Sequence, residues 1–158
     1  MVWKFLNITQ EKLRTMNISF CFDDQLDHLF IATFKDGWTW EDYHIGTDAF
    51  LNYPPNLAIP AGVRVDQIVD WRDVRNMPRD GVGSIHIARE RDKVLNSPYD
   101  IPRNGGMTVY IGNPIFVPAM LKTFGLPINP RTIRTRVMPT IEAGREAIRQ
   151  DRALAHQR

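Results

Sequence analysis

Residues suited to proton transfer, nucleophilic attack or metal binding are thinly spread over this chain of 158 residues. Its four histidines, His28, His44, His86 and His156, stand apart, and Cys21 is the single cysteine. A metal centre needs such ligands converging at set spacings, and no Cys/His or His-x-x-x-His pattern occurs, so no metal is expected. A nucleophile drawn from Cys21 or Ser84 with His44 or His86 as its base lacks a Gly-x-Ser-x-Gly elbow to present it. The glycines of GGMTVYIGN fit neither a phosphate-binding loop nor a dinucleotide fingerprint. No cofactor is expected.

Charge and backbone donors do concentrate in one place, the stretch DWRDVRNMPRDGVGSIH from Asp70 to His86. An apolar run ends in Asp70, and Arg72, Asp73, Arg75, Arg79 and Asp80 then crowd around Pro78. Gly81, Gly83 and Ser84 open the next periodic segment, where free N–H groups at a helix start suit an anion or a partner's polar groups. An enzyme would use Asp70, Asp73 or His86 as acid or base in the cleft beyond the strand ends, where open α/β sheets bind ligands. A second cluster, GWTWEDYH, supplies Trp38, Trp40 and Tyr43 as the wall of a pocket for a small apolar ligand. Aromatics at helical spacing more often form core, because each removes a large apolar area from water.

The elements that must position these groups follow from the spacing of apolar residues. NISFCF (17–22) and HLFIATF (28–34) are rich in β-branched and aromatic residues and flank the polar DDQLD, which predicts a hairpin with a five-residue loop. Thr39 with Asp42 has capping-box spacing and opens a helix whose face is Trp40, Tyr43, Thr47, Phe50 and Leu51. VRVDQIVDW (63–71) is a strand, and Asp80 caps a helix to about Lys93. MTVYIG is a strand covered on both faces, and Asn113 and Pro114 start a helix that Pro118 either kinks or begins and Gly125 ends. RTIRTRV (131–137) alternates as a charged edge strand, and Thr140 caps a last helix with Ile141, Gly144, Ala147 and Ile148 on its apolar face. The result is an α/β fold: a hairpin, then alternating helices and strands in a mainly parallel mixed sheet of about five strands with about four helices.

Composition bounds the function. Hydrophobic residues at 43% and charged residues at 24% are ordinary for one globular domain, and a net charge of +2 is too small to imply nucleic acid. From residue 131 onward seven arginines face three acidic residues, which suits a solvated helix face first and an anionic partner second. A lone cysteine forms no internal disulfide and fits a reducing, cytoplasmic setting. Between two phenylalanines, Cys21 is expected to be a small buried hydrophobe. The N-terminus lacks the pattern of a signal peptide, and the most apolar stretch is broken by Gly112, Asn113, Pro114 and Pro118, so no transmembrane segment is expected. Residues 1–15 form a lead-in, 16–150 the folded unit and 151–158 a basic tail.

At the Asp70–His86 loop the chain resembles the STAS domain family of sulfate transporters and anti-sigma-factor antagonists, in its SpoIIAA-like branch. In that family an apolar strand, an aspartate and a short ramp lead to Asp-Ser-Ser-Gly-Leu-Gly opening a helix. Here IVDWRDVRNMPRDGVGSI follows that outline, with Met77 before the loop and Gly81-Val82-Gly83 on the Gly-Leu-Gly, and PTIEAGREAI resembles the closing segment. The resemblance covers residues 17–150. It implies a non-enzymatic regulatory or protein-interaction domain that binds its partner through the loop between the third strand and second helix.

The family's antagonists are switched by phosphorylation of a serine in this loop, which adds nearly two negative charges at the interface. Pro78, Arg79 and Asp80 occupy the Asp-Ser-Ser positions here, so that switch is expected to be missing, and Ser84 lies within the expected helix. The competing expectations are a small-molecule or lipid carrier, since the SpoIIAA-like branch is similar in outline to a lipid-binding superfamily, and an enzyme using Asp70, Asp73 or His86.

Overall fold

The computed structural model describes residues 16–51, 63–78, 106–123 and 134–155. Strands β1 (Ile18–Phe22) and β2 (Leu29–Lys35) pair antiparallel, with Ile18 opposite Phe34 and Phe22 opposite Phe30. The connection closes through Asp23 N–H to Leu29 O at 2.8 Å, and Asp23 Oδ1 accepts from the N–H groups of Gln25 and Leu26, both at 2.9 Å. His28 adopts a left-handed φ of 55° and therefore belongs to the turn. The loop runs 23–28, one residue longer than the pattern predicts.

Helix α1 (Trp40–Leu51) begins at a realised capping box: Asp42 N–H donates to Thr39 Oγ1 and Thr39 N–H to Asp42 Oδ2, each at 3.0 Å. Strand β3 (Asp66–Asp73) starts and ends later than the expected 63–71, and β4 (Met107–Ile111) follows. Asn113 Oδ1 accepts from Ile115 and Phe116 N–H at 2.8 and 3.2 Å and so caps α2 (Phe116–Thr123). Pro118 sits in the first turn of α2, where its missing N–H costs no helical bond. Strand β5 (Arg134–Met138) precedes α3 (Ile141–Ala155), whose N-cap Thr140 accepts from Ala143 N–H at 3.1 Å.

The strands lie in the order β1-β2-β3-β4-β5, and every pair after the hairpin is parallel. This is the mixed, mainly parallel five-strand sheet of the α/β expectation, with β5 at an edge and Arg136 exposed. Three helices fall among the described residues. The fourth of the pattern, from Asp80 to about Lys93, lies outside them, as do residues 1–15, 131–133 and Gly125. So do the side chains of Thr47, Phe50 and Leu51. Among the described residues, no helix is long and apolar enough to cross a membrane.

Strand side chains alternate between faces. One face gathers Ile18, Ala32, Phe34, Val69 and Trp71 with Trp38 from the turn before α1, Trp40 at its start and Val117 and Leu121 of α2. The other gathers Leu29, Ile31, Ile68, Met107, Val109 and Ile111 under Ala147 and Ile148 of α3. Successive parallel strands laid down in one direction with crossovers of one hand put their connecting helices on a single face, and α3 covers the face left over. Fully burying a side chain such as Ile68 or Ile148 contributes about 1.5–3 kcal/mol. Gly144 permits the close approach of α3: a Cβ there would lie 3.1 Å from Ile111 Cδ1 and 3.3 Å from Ile68 Cδ1 and Val109 Cγ1.

Two expectations need correction. The boundary at residue 150 falls inside α3, which carries Asp151 and Arg152 as part of the folded unit. Cys21 is exposed, because it points from the edge strand to the side that α3 does not reach across to cover. Partial burial of the sulfur and the carboxylates of Asp23 and Asp24 push its thiol up, with Arg145 pulling the other way.

Candidate functional site

The carboxyl ends of the parallel strands bring together the loops most able to meet another molecule. At the centre is Asp70 on β3, 4% exposed on the α3 face. Residues two apart on a strand share a side, so Arg72 returns along the same face. Its Nε and Nη2 donate to Asp70 Oδ1 and Oδ2 at 2.9 and 2.8 Å, and its N–H adds a third bond to Oδ1 at 3.1 Å. This two-pronged pairing matches the planar guanidinium to the carboxylate and holds the Arg72 charge firmly in place.

Beyond Arg72 the chain turns, with Val74 N–H donating to Trp71 O at 3.1 Å. Val74 is buried and Met77 half-buried against the aromatic cluster of the first face. Asp36, in the turn between β2 and α1, accepts through Oδ1 from the N–H groups of Arg75 and Asn76 at 3.1 and 3.3 Å. The loop is thus fixed from below by a buried carboxylate, from the side by a second carboxylate and inwardly by two apolar pegs. Asp73, Arg75 and Asn76 are left exposed. Ile115, at the neighbouring end of β4, is 82% exposed.

Arg72, Asp73 and Arg75 therefore share one exposed, anchored segment. Arg79, Asp80, Gly81, Gly83, Ser84 and His86 lie outside the described residues. Asp70 uses both oxygens on Arg72, which suits an anchor; a general base must instead reach a substrate proton. Among the described residues, no three His, Cys, Asp or Glu side chains group in a way that could hold a metal ion.

Trp38 and Trp40 are core residues, each 4% exposed, and Tyr43 is half-buried beside them. Their rings meet edge to face, Trp38–Trp40 at 4.9 Å and Trp40–Tyr43 at 5.9 Å between centroids. Phe34, Trp71 and Tyr110 extend the cluster, and burial pushes the Tyr110 phenol up to about 12. The Nε1 donors of Trp38 and Trp71 are buried and meet no acceptor among the described residues.

Sequence reasoning missed a second charged centre at the opposite ends of the strands. Asp66 is fully buried and accepts from Arg64 Nη2 at 2.7 Å, Arg152 Nε at 2.7 Å and Met107 N–H at 2.6 Å. Arg64 also pairs with Asp151 at 2.7 Å, and Arg145 with Asp23 at 2.7 Å. Arg152 thus ties α3 to β3 and Arg145 ties it to the β1–β2 loop, which corrects the reading of that stretch as a solvated face for these two arginines, while Arg136 and Arg149 are exposed as expected. The signal that could have found this centre is a matched pair of motifs: Arg64-x-Asp66 and Asp70-x-Arg72 set an arginine two residues from an aspartate at the beginning and near the end of β3. No protein-family model matches the chain, and no curated protein matches it in sequence.

Proposed function

We propose that the chain is a STAS-like, non-enzymatic interaction domain that meets a protein partner through the loop following β3, Arg72 to Ser84. The observation that carries this reading is the anchoring of the loop. Asp70 and Asp36 hold its first half in one shape and leave Asp73, Arg75 and Asn76 facing outward. A loop set in place before binding loses less entropy on meeting a partner. The hairpin followed by parallel strands in sequence order, closed by a capped last helix, supports the STAS-like assignment.

Pro78, Arg79 and Asp80 stand where the resembled family carries its phosphorylated serine, so the surface is a constant one. Cytoplasmic placement fits the exposed, unpaired Cys21. The test is capture of partners from the source cells with the full chain and with an Arg75→Glu, Arg79→Glu variant of unchanged melting temperature. Loss of at least about tenfold of one captured protein is expected, since reversing charges at an interface costs about 1.4 kcal/mol or more. Equal capture by both proteins removes the loop as the binding surface.

A further inference from the structure

We draw no further inference here: the strongest candidate, the exposed apolar patch at Ile115 in the turn between β4 and α2, one strand over from the loop after β3, carries no proposal because nothing in the structure shows what covers it.

Discussion

Arg152 Nε donates to Asp66 Oδ2 at 2.7 Å across 86 residues of chain, tying the last turn of α3 to the first residue of β3. Asp66 is fully buried, and its remaining bonds go to Arg64 and to Met107 N–H. Asp66→Ala would take the shared buried carboxylate from Arg64, Arg152 and the Met107 N–H at once, leaving Arg64 only Asp151 and Arg152 only the Asp27 carbonyl, for an expected loss of about 3–5 kcal/mol. Arg152→Met leaves Arg64 in place and is expected to cost about 1–3 kcal/mol. Urea denaturation of both variants measures the order, and an Arg152 variant as damaging as the Asp66 one contradicts it.

Gly46 lies in α1 where a Cβ would overlap the ring of Phe20 on β1. Helix propensity alone favours Ala over Gly by about 1 kcal/mol, whereas overpacking costs about 1–3 kcal/mol. The packing term is the larger, so Gly46→Ala is expected to lower the urea midpoint. Adding Phe20→Leu should recover part of the loss, giving the coupling expected of two side chains in contact. Additive effects would show that α1 does not rest on Phe20.

Asp23 carries a pH signature. Burial works to raise its carboxyl, but bonds from Arg145 and from the N–H groups of Gln25 and Leu26 outweigh that and hold it below its ordinary value. A carboxyl lowered by folding contributes stability above its unfolded value, near 3.8, and loses it as pH falls through the lower folded value. Asp23→Asn removes this contribution. Urea midpoints of the two proteins should therefore differ most above the unfolded value and draw together as pH falls below 3.8 and through the lower folded value. A constant gap across that window would place the stabilisation elsewhere.

Asp36 holds the first half of the β3 loop through the N–H groups of Arg75 and Asn76. Asp36→Ala should speed hydrogen exchange at those two amides by about tenfold or more while global stability falls by only about 1 kcal/mol. Unchanged protection would mean that Val74 and Met77 fix the loop without it.

Features set by near neighbours were legible in the sequence. The Thr39–Asp42 capping box, the Thr140 cap and the Gly144, Ala147, Ile148 face of α3 depend on residues within a few positions of one another, and each forms as read. What could not be read depends on distance through the chain. Asp36 meets Arg75 across 39 residues, and the exposure of Cys21 depends on how far α3 extends over an edge strand. The alternation in VDQIVDWR shows that Asp66 and Asp70 share a side with Ile68, but only the folded sheet reveals that side as interior. Trp38 and Trp40 were legible as core, whereas the edge-to-face packing of Trp38 and Trp71 on Phe34 joins residues more than thirty positions apart and is a property of the assembled cluster.

The central claim is that the loop after β3 meets a protein partner. Its most direct test is photo-crosslinking in the source cells with a benzophenone side chain placed at Asn76 and, at the opposite end of the strands, at Gln25. Both positions are exposed, so solvent access does not separate them. The account predicts one discrete protein adduct from position 76 and none from position 25. Adducts at both positions, or at position 25 alone, would contradict it.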